Sequence, residues 1–111
     1  MPEWAVRKVM EHALSTDGDR LTATVAGEFD MAGTFTVEPA LERALDAPEL
    51  SDVTLDLSRV TFIDSVGLGV IIRLAGELQR REVPLRIVPG PPEVQRVFES
   101  AGLADVLPFQ R

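Results

Sequence analysis

The 111-residue sequence predicts a single α/β domain, residues 1–111, with a mixed sheet of four to five strands and helices mainly on one face. Three observations carry this expectation. Stretches with a period of two alternate with stretches of helical period, in the order β-β-α-β-α-β-α-β. A tight turn joins the first two strands, which makes them antiparallel; single helices join the later ones, which makes those parallel neighbours with right-handed crossovers. The strands alternate apolar and polar residues instead of being apolar throughout, so helices cover only one face.

Residues 1–9 match no template, and Trp4, Val6 and Val9 are candidates for packing on the sheet edge. A first strand is expected over Met10–Leu14, followed by the turn signal Asp17-Gly18-Asp19. Leu21, Ala23 and Val25 alternate with Thr22 and Thr24 in a second strand that ends at Gly27. Gly27-Glu28-Phe29-Asp30 then opens a loop before a helix over roughly 36–47, with Pro39 in its first turn, where a missing N–H costs nothing, and Ala47-Pro48 as its stop. A third strand covers 53–58 and a second helix 66–81, whose core stripe reads Leu68, Ile71, Ile72, Ala75 and Leu78. Leu85–Val88 forms the next strand. Pro89-Gly90-Pro91-Pro92 is a stiff opening to a third helix that buries Val94, Val97, Phe98 and Ala101. Gly102 stops that helix, Leu103 packs back on it, and Val106-Leu107 forms a last short strand.

Composition narrows the function classes. The formal net charge is −7 and the isoelectric point about 4.6, which argues against a nucleic-acid surface. No apolar run reaches the length of a membrane span, and the N-terminus lacks the pattern of a secretory signal. With no cysteine there are no disulfides or thiolate metal sites. A cytoplasmic protein without cofactor or metal is expected.

The most informative segment is Phe62-Ile63-Asp64-Ser65-Val66-Gly67-Leu68-Gly69, at the junction of a strand with a helix. Ser65 is placed to cap the helix, and a helix start also favours a phosphate, because free amides and the dipole point at it. Gly67 and Gly69 keep the turn narrow and leave the serine open. At about 100° per residue, Val66, Val70, Arg73 and Glu77 fall opposite the core stripe. With Gly69 they form a small apolar patch rimmed by charge beside Ser65, an expected partner contact. The loops after the second, third and fourth strands, carrying Asp30, Asp64 with Ser65, and Gly90, should gather at one sheet edge, where α/β sheets meet their ligands.

Taken in order, these residues resemble the STAS domain family, of the stand-alone anti-sigma factor antagonist kind. The resemblance runs from about Leu14 to Phe109. It rests on Asp64-Ser65-Val66-Gly67-Leu68-Gly69 after an apolar strand, on Gly27-Glu28-Phe29-Asp30, and on Pro92–Leu103 with Phe98, Ser100, Gly102 and Leu103. It implies partner switching. The unphosphorylated antagonist binds an anti-sigma factor that is also a serine kinase of the GHKL type, and the sigma factor is freed. The kinase phosphorylates the serine after the loop aspartate, here Ser65 after Asp64, and binding is lost until a PP2C-type phosphatase restores it. Val66 stands where a second serine or threonine is common, which leaves Ser65 without a neighbouring acceptor. The other assignment within the family is a non-catalytic subunit of another assembly, such as a lipid-transport ATPase complex.

Plainer roles stand beside these. Ser65 could serve only as a cap, Asp30 could only order its loop, and Val66 and Val70 could belong to a broad buried face. Catalysis is not expected. His12 is the sole histidine and has no placed acid, the glycine two residues before the serine of a hydrolase elbow is missing, and no phosphate loop or metal-ligand spacing occurs. Nothing in the sequence fixes the oligomeric state.

Overall fold

Gly18, at φ 65°, turns the chain so that β1 (Glu11–Asp17) pairs antiparallel with β2 (Arg20–Phe29). The structure, a computed structural model, describes residues 11–47 and 49–110; the expectations for residues 1–10 and for Pro48 lie outside them. After α1 (Met31–Leu45) come β3 (Asp52–Ile63), α2 (Ser65–Arg80), β4 (Leu85–Val88) and α3 (Pro92–Ser100). The sheet order is β1-β2-β3-β4, with β2/β3 and β3/β4 parallel, so the expected mixed sheet is present.

One face of this sheet carries the core. Leu21, Ala23, Val25 and Phe29 of β2 and Val53, Leu55 and Leu57 of β3 pack with Val37 and Leu41 of α1, Ile71 and Leu78 of α2, and Phe98 of α3 in one cluster. The expected alternation in β2 and the first half of β3 produces this directly. β1 differs, because every residue in it is exposed. His12, Leu14 and Thr16 lie opposite Val25, Ala23 and Leu21 and so face the helix side, yet the helical layer leaves them uncovered.

Both central strands run further than the sequence pattern predicts. β3 continues from Ser58 to Ile63 alongside the end of β2. Register shifts between Thr24 and Ala26, and between Gly27 and Glu28, each insert one extra residue on the β3 side. Each bulge reverses which face the next β3 residue meets. The buried set therefore becomes Leu57, Val60 and Ile63, at a spacing of three, and the period-two signal vanishes.

Three further expectations are corrected. The first concerns α1, which starts at Met31, not near residue 36, so Pro39 lies inside it. Pro39 and Phe35, whose carbonyl it leaves without a helical donor, are both exposed, so water can solvate the gap. The second is the final strand: Val106-Leu107 forms a turn, and the strand-like contact falls later, where Phe109 bridges Ile87 in parallel. Ile87 N–H donates to the Pro108 carbonyl at 3.0 Å and Gln110 N–H to the Ile87 carbonyl at 2.8 Å. The Phe109 ring meets Phe98 edge-on at 4.9 Å, which anchors the segment along the outer side of β4. The third is the loop after β4, which does not join the other two. Val88 is level with Asp56, opposite Thr24, whereas β2 and β3 end at Phe29 and Ile63, roughly 17 Å further on.

Both later helices end in the same motif. Gly102 (φ 75°) takes the left-handed position after α3, and Leu103 N–H donates to the Phe98 carbonyl at 2.9 Å, as expected. After α2 the left-handed position is held by Glu82 (φ 58°), with Val83 N–H donating to the Leu78 carbonyl at 2.9 Å. A side chain there is strained where glycine is not. Glu82→Gly is therefore expected to raise unfolding stability by about 1 kcal/mol, read as a higher urea midpoint with an unchanged slope.

Candidate functional site

Two parallel strands end side by side at Phe29 and Ile63, and each is followed by an aspartate and then a helix. Asp30 and Asp64 adopt nearly the same extended backbone, with φ −114° in both and ψ −171° and −174°. Each is an N-cap. Asp30 Oδ1 accepts from Gly33 N–H at 2.9 Å, and Asp64 Oδ1 accepts from Val66 N–H and Gly67 N–H, both at 3.0 Å. The expected capping role of Ser65 is thus corrected. The carboxylate one residue earlier already holds the amides of the second and third helical positions. Ser65 becomes the first residue of α2 and is exposed.

Gly67 sets how close α2 comes to the sheet. It is buried, and a Cβ on it would lie 2.3 Å from the Phe29 carbonyl oxygen and 2.9 Å from the Phe29 ring. The same oxygen accepts the Asp64 N–H at 3.2 Å. α2 therefore leans on its Gly67 side, and its core stripe is Gly67, Val70, Ile71, Leu74 and Leu78. This rotates the helix from the expected stripe. Val70 is only 4% exposed, which removes it from any partner face, while Ile72 is 45% exposed.

The expected partner residues therefore separate into three sets. Asp30, Asp64, Ser65, Val66 and Gly69 lie at the tip where β2 and β3 end, with Ser65 exposed and the others half-buried. Gly67 and Val70 pack inward and act on the site only by placing it. Arg73 is exposed two turns along α2, where its guanidinium meets Glu38 of α1 at 2.6 Å. With side chains 63% and 30% exposed, that pair contributes at most about 1 kcal/mol. His12 pairs with Val25 on the edge strand, separated by β2 from the strand that leads into Ser65. A surface groove between α1 and α2, from Glu38 and Arg73 to Asp46 and Arg81, includes none of Asp30, Asp64 and Ser65.

Three exposed apolar side chains near the tip lie outside the residues expected at the site: Met31 (59%), Phe35 (78%) and Phe62 (50%). Met31 and Phe35 line a shallow depression with Asp30, Ala32 and Asp64. A signal for them was available. The pattern apolar-Asp-x-x-Gly occurs twice, as Phe29-Asp30-x-x-Gly33 and Ile63-Asp64-x-x-Gly67. Reading the first like the second starts α1 at Met31 and puts Met31 and Phe35 one turn apart on it.

The STAS domain family model matches residues 12–111. An anti-sigma-B factor antagonist of Listeria monocytogenes is 33% identical over 91 residues, covering 82% of this chain and 79% of that protein. Among solved structures, the anti-sigma factor antagonist SpoIIAA in its unphosphorylated form superposes with a TM-score of 0.75 at 19% identity, over 91% of this chain and 89% of that one. SpoIIAA of Bacillus in its phosphorylated form gives 0.69 at 18% identity, over 91% and 92%.

Two glycines two residues apart should respond oppositely to alanine. Gly67→Ala forces a methyl into the Phe29 carbonyl and is expected to cost about 2 kcal/mol or more. At Gly69 the nearest obstacle to a Cβ is the Arg73 guanidinium tip at 3.4 Å, so Gly69→Ala is expected to be neutral or to gain up to about 1 kcal/mol from helix propensity. Chemical denaturation of the two variants reads both.

Proposed function

Because the chain belongs to the STAS domain family, we propose that it is an anti-sigma factor antagonist, a non-catalytic cytoplasmic protein that docks on a serine-kinase anti-sigma factor until Ser65 is phosphorylated. The observation that carries this reading is the exposed Ser65 at the first position of α2, with the neighbouring Asp64 carboxylate occupied in capping. The anti-sigma-B antagonist relative and the shared fold with SpoIIAA support it. That fold also exists in a phosphorylated form, which fits a modification the domain tolerates.

In the transfer step the Ser65 Oγ attacks the γ-phosphorus of ATP on the kinase. The new O–P bond replaces the bond to ADP, and the hydroxyl proton passes to a base of the kinase. The product adds nearly two negative charges. In the free protein the dipole of α2 favours them by about 1 kcal/mol, and the adjacent Asp64 opposes them. Asp64 already holds the Val66 and Gly67 amides, so the phosphate gains little from the helix start and stays in solvent. In a complex the same dianion loses water and lies against the phosphates of the kinase's nucleotide, a cost of several kcal/mol that basic groups of the partner offset only in part. Since about 1.4 kcal/mol is a tenfold change in affinity, the interface term dominates and the mark acts by blocking a surface. A PP2C-type phosphatase would find the group exposed and remove it. Asp30, Asp64, Val66 and Gly69 surround the docking point, with Arg73 two turns further along α2, on a chain whose net charge of −7 favours a basic partner face.

Affinity capture with the wild-type chain, Ser65→Ala and Ser65→Asp tests this. The first two are expected to retain a GHKL-type serine kinase, with ATP-dependent labelling of the wild type alone, and Ser65→Asp to lose it at least a hundredfold. Recovery of a transporter ATPase regardless of residue 65 would contradict the proposal.

A further inference from the structure

The solvent side of α1 is unusual. Its exposed positions over the first nine residues are Met31, Ala32, Phe35, Thr36 and Pro39, none of them charged. The one charged residue of this stretch, Glu38, is half-buried and paired with Arg73, and exposed charge returns in the last turns with Glu42 and Arg43. A helix lying on the surface of a soluble domain ordinarily carries charge along its whole outer face. Met31, Phe35 and Pro39 follow one another at intervals of four and make a single apolar ridge. Phe35 is 78% exposed, so the core gains almost nothing from its ring. Pro39 interrupts the helical bonding beneath it by withholding an N–H from the Phe35 carbonyl.

The ridge begins beside the proposed phosphorylation site. Met31 and Phe35 share their depression with Asp64, the residue before Ser65. An enzyme that brings the γ-phosphorus of ATP to bonding distance of the Ser65 Oγ must cover this depression. From this we infer that Met31 and Phe35 are the apolar anchor of the kinase partner, seated in a hydrophobic pocket beside its nucleotide site and ringed by basic groups. This deepens the reading under Proposed function and rests on it. Charge selects this occupant over a second copy of the chain. The rim carries Asp30 and Asp64, while Glu38 and Arg73 neutralise each other, so two copies meeting here would oppose like charges. An electropositive site that holds ATP meets the same rim favourably. Phe35 and Met31 therefore decide which kinase recognises the chain, while Ser65 decides when.

The test uses the full chain and the enzyme purified by its transfer of labelled phosphate to Ser65. Phe35→Ser, Met31→Ser and the double variant are compared with Val106→Ser, which removes an equally exposed apolar side chain from the C-terminal turn. The double variant is expected to raise the KM for the protein substrate at least tenfold, with kcat and melting temperature unchanged. Val106→Ser is expected to leave all three as they are, and Phe35→Leu to recover most of the loss. An unchanged KM in the double variant, with Ser65 still labelled, would overturn the anchor and leave the antagonist reading intact. Failure of any fraction to label Ser65 in the wild-type chain would overturn both. Concentration-dependent dimerisation of the wild type that Phe35→Ser abolishes would assign the ridge to self-association and overturn the inference.

Discussion

The Phe29 carbonyl oxygen is the point on which the arrangement turns. It accepts the Asp64 N–H at 3.2 Å, and it stands where a Cβ of residue 67 would have to go. Only glycine lets the first turn of α2 settle against the end of β2. Once it has settled, the rest follows from helix geometry. Asp64 is held extended and caps two amides, Ser65 occupies the first helical position on the outside, and Val70 and Leu74 turn inward. The site is thus rigid because it is fixed by a close backbone contact and by the ends of two core strands, with no dependence on a mobile loop.

That placement also determines what a charge at residue 65 can do. A phosphate at a bare helix start could bind the free amides and draw the chain around it. Here the cap aspartate already occupies them. Phosphorylation there, as proposed, would therefore have little purchase on the fold and would act on whatever lies over the surface. The nearby uncharged ridge of α1 supplies the apolar area such a contact needs, and the cap carboxylates supply a rim of one sign.

How much of this the sequence discloses depends on whether local pattern or tertiary contact decides a residue's place. The hairpin is legible because Asp17-Gly18-Asp19 acts locally. The end of α3 is legible for the same reason, through Gly102 and Leu103. The second half of β3 is not, since two bulges erase the alternation between Ser58 and Ile63. The rotation of α2 is not either: Ile72 looks as fit for the core as Val70, and only the contact of Gly67 with Phe29 selects between them. In the site, Ser65 is legible as the open position beside an aspartate, but serine and aspartate are both good caps, and only the fold shows that the Asp64 carboxylate takes the amides. The start of α1, and with it Met31 and Phe35, was hidden by Pro39, which reads as a first-turn residue. The repeated apolar-Asp-x-x-Gly pattern is the cue that outweighs it.

A phosphate on Ser65, as proposed, changes a surface and leaves the fold alone. Amide hydrogen exchange of the chain carrying phosphoserine at position 65, followed residue by residue by NMR, measures this most directly. The Val66 and Gly67 amides are expected to keep their protection and the core strands β2 and β3 to exchange as in the unmodified chain, with shift changes confined to the tip around Asp30 and Asp64. Loss of protection along α2, or across the contact between Gly67 and Phe29, would contradict it.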